Sequence, residues 1–590
     1  MEFLRPLSEG AQLNQVEQWK LDRHPFEVAG AIRDRYAVEG AAAIDETPGE
    51  MDRLKWVGLY PQRQGGDAFM LRVKVPGGRM SAAQTRRIGE VVDTFAESPQ
   101  DDPIWGNRYC DLTTRQDIQL HWVRIGDVPK IWDLLDEVGI TTVQACGDSA
   151  RNVLGCPVAG VDRDEVLDAS SIAREISEFF TGNREYANLP RKFKLSVTGC
   201  REDCAQAEIN DIGMWPAHLA DGTIGFNLLV GGGLSDGPRM ASDIDVFVAP
   251  DEAVEVSRAV AQLFGELGNR ENRGMSRMRY LVQELGPEDF RAELAKRAAF
   301  ELRPAGENLT RRYRGDHVGV HAQRQPGLSY VGCSVAVGRL AGTDLVEAAR
   351  LADAYGDGEV RLATDQNFVL TGVGDDRLDG LLAEDLLQRL SPFPAPFERG
   401  VVACTGSEFC RFAIVETKAR AVRWAREMDV RYADRFGGAA GVREREQGAI
   451  VRMHFSGCPA SCAQPQIADI GFRGDTAHVG DEIVEAVDIG LGGNLGTDAA
   501  FGDWVDGAMP VADVPDALGR VVERFLDEHR PDERFHEWAR RTPSRALRVT
   551  LRGTATRRAG TTSSNSSADQ PTERQDVSTT GTTPGEGHLS

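Results

Sequence analysis

Blocks of sequence that occur twice in the same order constrain the fold of this chain more than any other feature. FMLRVKVPGGRMSAAQTRRIGEVVDTFA from Phe69 and YVGCSVAVGRLAGTDLVEAARLADAYG from Tyr330 each predict a strand, a glycine turn and a helix with i, i+3, i+4 apolar spacing. Residues 109–123 and 360–373 each predict two strands around a polar TRQD or TDQN corner. Such a repeat predicts a duplicated α/β protein with pseudo-twofold symmetry.

Two further pairs of repeated blocks contain cysteines. VQACGDSARN (143–152) matches VVACTGSEFC (401–410), and TGCREDCAQAEINDIG (198–213) matches SGCPASCAQPQIADIG (456–471). The second half has a complete quartet, Cys404, Cys410, Cys458 and Cys462. In the first half Asn152 stands where Cys410 stands, and the cysteines that remain are Cys146, Cys200 and Cys204. The two halves therefore differ where chemistry is expected.

The quartet has the spacing C-x5-C, a long gap, and C-x3-C. Four thiolates are what a [4Fe–4S] cluster needs, whereas zinc sites generally use tighter C-x2-C pairs. Disulfides are not expected, because the N-terminal sequence lacks the basic segment and apolar run of an export signal. We therefore expect a cytoplasmic protein that moves electrons, with zinc or inert buried thiols as open alternatives. A second cluster is a further alternative, to be decided by an iron count; its ligands would be Cys146, Cys156, Cys200 and Cys204.

The charge of the chain limits its partners. The formal net charge is −23 and lysine is scarce, with eight in 590 residues. An acidic, lysine-poor surface argues against nucleic acid and anionic membranes as partners, and no apolar run is long enough to cross a bilayer. The composition resembles that of proteins from salt-loving organisms; an ordinary acidic enzyme from a GC-rich genome is the alternative. In the first half, Arg151 lies in one cysteine-bearing block and Lys192 and Lys194 lie just before the other, which suggests an anion site.

From about Gln15 to Arg541 the chain resembles the siroheme- and [4Fe–4S]-containing assimilatory nitrite and sulfite reductases. The motifs that carry the resemblance are ACTGSEFC, SGCPASCAQPQIADIG, FMLRVKVPGG, LTTRQDIQLHW, NLPRKFK and NLLVGGGLS. The resemblance implies an α/β (α+β) fold of three domains, internally duplicated about a pseudo-dyad, with siroheme at the domain junction. We expect an N-terminal extension (1–50), ferredoxin-like half-domains (51–125 and 313–392), α/β domains (126–312 and 393–552) and a disordered tail (553–590).

The resemblance also implies roles for particular residues. Cys462 would bridge the cluster and the siroheme iron, and the other three cysteines of the quartet would complete the cluster. Arg72, Arg151, Lys192 and Lys194 match the basic residues around the substrate, and we expect the two lysines to donate protons. The positions that match residues near the macrocycle are Arg115, Gln119 and His121. Further candidates for siroheme carboxylates are Arg270, Arg273, Arg277 and Arg279; a solvated helix face is the alternative for these four.

Electrons are expected to come from another protein. The glycines of NLLVGGGLSDG do not form G-x-G-x-x-G, and no flavin domain is recognisable. The resemblance implies a small donor, ferredoxin. A protein that only carries electrons would need no anion pocket, so the clustered positive residues favour a reductase.

Some sequence features point to sulfite as the substrate and others point to nitrite. The second lysine of RKFK, Lys194, is associated in the family with sulfite enzymes, and nitrite enzymes often carry asparagine there. Asp111 and the flanking sequences look more like nitrite enzymes. Tyr60 matches the tyrosine of a Tyr–Cys crosslink found in one subgroup of sulfite reductases, but Ser149 stands at the cysteine position, so we expect no crosslink. Reduction of nitrite to ammonium is the favoured expectation, and reduction of sulfite to sulfide is the alternative.

Overall fold

The computed structural model of the chain describes residues 10–436 and 450–553. All but the first residue of the predicted tail lie outside this part of the chain. The N-terminal extension is made of short helices whose apolar residues, among them Val28, Ile32 and Tyr36, are buried against the first half-domain. These helices are α1 Gln15–Asp22, α2 Val28–Ala31, α3 Ala37–Glu39, α4 Ala42–Asp45 and α5 Glu50–Arg53, and a π-helical turn, Ile32–Tyr36, joins α2 to α3.

The first half-domain follows the predicted order of strand, turn, helix and two strands. Its long helix begins with a capping box, in which Ser81 Oγ accepts from Gln84 N (3.2 Å) and Gln84 Oε1 accepts from Ser81 N (2.9 Å). The elements are β1 Leu59–Pro61, β2 Ala68–Val73, β3 Arg79–Ser81, α6 Ala82–Phe95, β4 Glu97–Asp102, β5 Gly106–Leu112, β6 Ile118–Arg124 and α7 Val128–Asp136.

The first α/β domain contains a five-stranded path in the order β11-β10-β9-β8-β7. Strands β7, β8 and β9 are parallel, and β9, β10 and β11 are antiparallel. Its elements are β7 Ala150–Leu154, α8 Ser170–Phe180, β8 Phe193–Val197, β9 Ile212–His218, β10 Ile224–Val230, β11 Ser242–Val248, α9 Ala253–Leu267, α10 Met278–Ala295 and β12 Glu307–Asn308.

The second half-domain repeats the first. Strand β2 begins at Ala68 and its counterpart begins at Leu328, so the structural equivalent of Tyr330 is Met70. The sequence alignment that starts at Phe69 is therefore wrong by one residue. The elements are β13 Gly319–Ala322, β14 Leu328–Cys333, β15 Arg339–Ala341, α11 Gly342–Tyr355, β16 Glu359–Leu362, β17 Phe368–Gly374, α12 Leu378–Leu382, α13 Asp385–Arg389 and α14 Pro396–Arg399.

The half-domains exchange strands. β3 of the first half-domain pairs with β16 of the second, and β15 of the second pairs with β5 of the first. Helices α6 and α11 pack together, and one hydrophobic core runs through both half-domains. One edge of each half-domain sheet is thus closed by a strand from the other half, so the two copies form one body. The predicted pseudo-twofold, duplicated α/β fold is confirmed.

The second α/β domain has the same sheet as the first, in the order β18-β19-β20-β21-β22, with β18, β19 and β20 parallel. Among the described residues, no helix is both long and apolar enough to cross a membrane. The elements are β18 Val401–Ala403, α15 Lys418–Tyr432, β19 Met453–Ser456, β20 Ile470–Val479, β21 Glu482–Leu491, β22 Asp503–Pro510 and the helices Val514–Glu528, Phe535–Arg541 and Ser544–Arg552.

Candidate functional site

The cysteine quartet lies at the carboxyl ends of β18 and β19. Because these strands are parallel neighbours, the loops that follow them meet at one edge of the sheet. Gly457 N donates to Cys404 Sγ (3.2 Å), and Ile414 N donates to Gly457 O (2.8 Å), so the two loops are tied together. Cys458 is buried, whereas Cys462 is exposed at the edge of the group.

The spacing of the quartet suits a cluster better than a single ion. Among the residues that the structure describes, no three of these four sulfurs lie within 4.8 Å of one another. A cubane needs wider spacing, because its four thiolates bind four different iron atoms. Burial, and after it the neighbouring Cys462, raises the pKa of Cys404 and of Cys458 to about 12. Bound iron would therefore have to displace the protons of these thiols.

The basic residues of the first half lie in one region. Arg72, in β2, donates to Cys146 Sγ (3.2 Å). With its amide oxygen directed at Arg72, Gln119 accepts from Arg72 Nε (3.2 Å) and donates to Thr405 Oγ1 (3.2 Å). Arg151 is 8% exposed, and its Nε donates to Gly147 O (2.9 Å).

Lys192 and Lys194 flank the start of β8. Burial, together with the charges of Arg115 and Arg277, lowers the pKa of Lys194 to about 7, although Asp211 and Cys462 oppose this shift. The pKa of Lys192 is lowered well below its usual value by burial and by the positive charge of Lys194. This region therefore holds more cations than neighbouring carboxylates neutralise, as an anion site requires.

The basic region and the quartet adjoin each other. Cys462 lies close enough to Arg72 and Lys194 to interact electrostatically with both side chains. Thr114 Oγ1, in the polar corner of the first half-domain, donates to Cys462 O (3.1 Å). Residues from both halves of the repeat are thus brought to one place.

Arg115 and His121 are held by protein groups. Arg115 Nη1 donates to Asn210 Oδ1 (2.8 Å), while its Nε is buried without a hydrogen-bond partner. His121 is 1% exposed, pairs with Asp111 Oδ2 through Nε2 (3.0 Å) and stacks on Phe409 at 4.0 Å. The ring of His121 therefore supports the loop of Cys410 from inside the protein.

Three of the four arginines of GNRENRGMSRMRY lie in the interior, and the fourth, Arg273, is partly exposed. Arg270, Arg277 and Arg279 are buried, so the interpretation as a solvated helix face is wrong. The main partners are Glu17 for Arg270, Asp148 for Arg273, Asp211 for Arg277 and Leu234 O for Arg279. At least two of these pairs position the candidate site, because Asp148 also lies 3.7 Å from Arg191 and Asp211 Oδ2 accepts from Lys194 N (2.9 Å).

Sequence reasoning missed two charged residues beside Arg72. Burial raises the pKa of Asp117 to about 6 against the charges of Arg72 and Arg115. Lys74 is fully buried, its Nζ donates to Thr181 Oγ1 (2.8 Å), and burial lowers its pKa to about 8. A signal for Lys74 was present, since it is a rare lysine two residues beyond Arg72 and so on the same face of the chain.

Tyr60 has a cysteine neighbour that the sequence comparison did not indicate, Cys146. The phenol of Tyr60 interacts with Cys146. Burial, and to a smaller extent this thiol, raises the pKa of Tyr60. Ser149 Oγ instead donates to Cys146 O (3.3 Å). Cys146, the repeat counterpart of Cys404, thus lies between Arg72 and Tyr60.

The fold and the cysteine loops define an iron–sulfur oxidoreductase built on a duplicated α/β scaffold. The family model for the nitrite and sulphite reductase 4Fe-4S domain matches residues 146–302 and 395–550. The model for the nitrite/sulfite reductase ferredoxin-like half domain matches residues 60–138 and 321–385. The chain belongs to the nitrite and sulfite reductase family, and the expected iron–sulfur enzyme is confirmed.

Similar proteins cover nearly the whole chain. The assimilatory ferredoxin-dependent nitrite reductase of Haloferax mediterranei is 42% identical over 551 residues, 89% of this chain and 91% of that protein. The chloroplastic ferredoxin–nitrite reductase of Zea mays is 42% identical over 536 residues, 87% of this chain and 90% of that protein. The solved structure of the NirA protein of Mycobacterium tuberculosis has a TM-score of 0.83 at 33% identity, covering 92% of this chain and 100% of that one.

Proposed function

We propose that the protein reduces nitrite to ammonium with six electrons from ferredoxin. The observation that carries the proposal is the meeting of Cys462 with the basic residues Arg72 and Lys194. A protein that only transfers electrons needs the cysteine quartet alone, whereas a reductase of an oxyanion needs the quartet and the basic residues. The relatives named as ferredoxin-dependent nitrite reductases support nitrite as the substrate.

The residues present fit siroheme as the second cofactor. Cys462 is exposed beside the basic region, and the surplus cations there include buried donors without partners, such as Arg115 Nε and Arg277 Nε. A macrocycle with many carboxylates would supply the missing negative charge. We propose that four residues hold the cluster: Cys404, Cys410, Cys458 and Cys462. Arg115 and Gln119 would support the macrocycle, and His121 would support it indirectly through Phe409. Siroheme would supply the iron that binds nitrite and passes it electrons.

Binding of the substrate is assigned to fixed cations. Taking a small oxyanion out of water is costly, and preorganised positive groups offset this cost. Arg72 is anchored through Cys146 and Gln119, and Arg151 through Gly147 O, so neither guanidinium has to be ordered when the anion arrives. In the proposed role these two arginines bind and orient the anion.

Protons are assigned to the two lysines. Reduction of nitrite to ammonium and two waters consumes eight protons along with the six electrons. An arginine holds its proton too tightly to donate it, but a lysine whose pKa is lowered to about 7 transfers protons near neutral pH. Lys194, with Lys192 beside it, is therefore the proposed proton donor, and Asp211 holds the backbone of Lys194 in place.

Ferredoxin is the proposed electron donor, and the cytoplasm is the proposed compartment. None of the ten cysteines is in a disulfide, and thiolates that bind metal need a reducing compartment. A chain with a net charge of −23 would repel an acidic donor at low salt. Concentrated salt screens that repulsion, so the pairing suits a protein of a salt-loving organism.

Sulfite is the second candidate substrate, and Lys194 is the observation that favours it. The test is steady-state reduction of both anions by the holoenzyme in molar KCl with reduced ferredoxin, comparing kcat/KM. A higher kcat/KM for nitrite supports the proposal, and a higher value for sulfite overturns it. Lys194→Asn, measured in parallel, shows whether this side chain sets the preference, and Lys296→Asn is the control at an exposed lysine.

A further inference from the structure

A second cysteine group lies in the first half of the molecule, apart from the quartet. Cys156, Cys200, Cys204 and His317 are all buried, and their ligand atoms lie within 4.8 Å of one another. His317 Nε2 is 3.7 Å from Cys156 Sγ and 3.9 Å from Cys200 Sγ. Three sulfurs and one imidazole nitrogen therefore surround a common centre in the interior.

These distances match the edges of a tetrahedron around one ion. With zinc bonds of about 2.3 Å to sulfur and 2.0–2.1 Å to nitrogen, tetrahedral edges are roughly 3.6–3.8 Å. We propose that Cys156, Cys200, Cys204 and His317 bind a single Zn²⁺ ion as a closed structural site. Three thiolates and one imidazole are a ligand set typical of structural zinc, and a set this soft disfavours magnesium and calcium.

The surroundings orient the ligands. His317 directs Nδ1 at Tyr330 Oη (3.4 Å), which leaves Nε2 for the metal. Glu202 N donates to Cys200 Sγ (3.4 Å), a contact that stabilises a thiolate. His317 has a φ of 57°, a conformation that a non-glycine residue keeps only where its surroundings hold it. The site is thus built from several constraints that point at one centre.

The geometry argues against a second iron–sulfur cluster here. The alternative set drawn from the sequence included Cys146, but Cys146 accepts from Arg72 and is not part of the group. His317 takes the fourth position instead. The four ligand atoms are too close together for the four irons of a cubane, in contrast to the sulfurs of the quartet.

The group uses the first-half copy of the repeated cysteine loop. Cys200 and Cys204 are the counterparts of Cys458 and Cys462. Cys156 follows β7, and His317 precedes β13, so the ion would join the first α/β domain to the second half-domain. One half of the duplication would then use its cysteine loop for electron transfer and the other for a structural metal.

The test is the metal content of the holoenzyme, prepared without added zinc and measured by mass spectrometry. We expect one zinc per chain beside the iron of the other cofactors. Cys200→Ser and His317→Ala should lose the zinc and keep the iron, and their thermal midpoints should fall. Cys333→Ser, at a buried cysteine outside the group, is the control that keeps both metals. Wild-type protein without zinc, or a Cys200→Ser protein that loses iron and keeps its zinc, overturns the proposal.

A measurement on the wild-type protein covers the case in which the variants fail to fold. Zinc K-edge absorption should show three sulfur neighbours and one nitrogen neighbour at the distances given above. A shell of oxygen and nitrogen alone would mean surface-bound zinc and would overturn the site.

Discussion

Gln206 and Gln464 exchange two hydrogen bonds across the pseudo-dyad. Gln206 Nε2 donates to Gln464 Oε1 (3.0 Å), and Gln464 Nε2 donates to Gln206 Oε1 (2.5 Å). The two residues are repeat counterparts, and both are buried with φ near 60°. Each lies two residues after a cysteine loop, so this pair connects the loop of Cys204 to the loop of Cys462.

Replacing either glutamine of this pair should lower the free energy of unfolding by more than half of the loss that the double replacement causes. Gln206→Ala leaves the amide of Gln464 buried without its partner, a penalty of about 1–3 kcal/mol. The double variant removes that penalty, so the effects of the single variants should not add. Denaturant unfolding of the four proteins in molar KCl measures the coupling. Strictly additive effects would mean that the amides act independently.

Lys192→Met should reduce turnover of nitrite by about 10²–10⁴-fold, because a positioned proton donor is lost. The variant should keep the visible spectrum of the haem. Lys296→Met, at an exposed lysine, is the control and should be unaffected. Activity equal to that of the wild type would remove Lys192 from the proposed mechanism.

The rate should depend on pH through Lys194. Its pKa is lowered to about 7, and only the protonated amine donates, so kcat/KM should decline as pH rises above that value. The Lys194→Asn variant has no titratable group at this position, so its kcat/KM should not show this decline. A pH–rate profile of both proteins checks the assignment; the same decline in the variant would assign it to another group.

Asp148→Asn should lower the free energy of unfolding by about 3–5 kcal/mol, because it breaks a buried charge network. Asp148 accepts from Arg273 at 2.7 and 3.1 Å and lies 3.7 Å from Lys20. Burial would raise the pKa of this carboxyl, but Arg273 and Lys20 hold it well below its usual value.

The contribution of Asp148 should depend on pH. It is fully present above the unfolded-state pKa of about 3.9 and is lost as pH falls toward the folded-state value. The difference from the variant should therefore be largest near neutral pH. Asp133→Asn is the control, because Asp133 pairs with Arg33 on the surface and should change stability by about 1 kcal/mol or less. Equal effects in the two variants would contradict the argument.

Low salt should destabilise the protein. A net charge of −23 repels itself, and the screening length grows from about 3 Å at 1 M to about 10 Å at 0.1 M salt. The thermal midpoint should therefore rise with KCl and should respond less to sucrose, which does not screen charge. A midpoint independent of KCl would contradict adaptation to salt.

Local motifs carried most of what the sequence revealed. The repeat predicted the duplicated sheets, because turn residues and apolar periodicity reflect local backbone preferences. The cysteine loops of the quartet were recognisable because each pair of ligands lies within one short segment. The resemblance carried by these segments identified the family, and the family models confirmed it.

Contacts between distant segments were not predictable in the same way. The exchange of β3 and β15 between half-domains leaves no trace in the periodicity of either strand. Whether the arginines from Arg270 to Arg279 lie in the interior or on a solvated face stayed open, because the sequence does not show the partners of a charged residue. The one-residue error at Tyr330 arose because strand patterns alone fix a register weakly.

The sequence by itself therefore determined the duplication, the iron–sulfur chemistry and the family. The tertiary structure alone decided that His317, 161 residues beyond Cys156, completes a group with three cysteines, and that Cys146 does not belong to it. It also brought Cys462 within electrostatic range of Arg72 and Lys194. The physical reason is that ligand sets and charge networks depend on how distant segments pack, and packing is set by the whole core and not by any one segment.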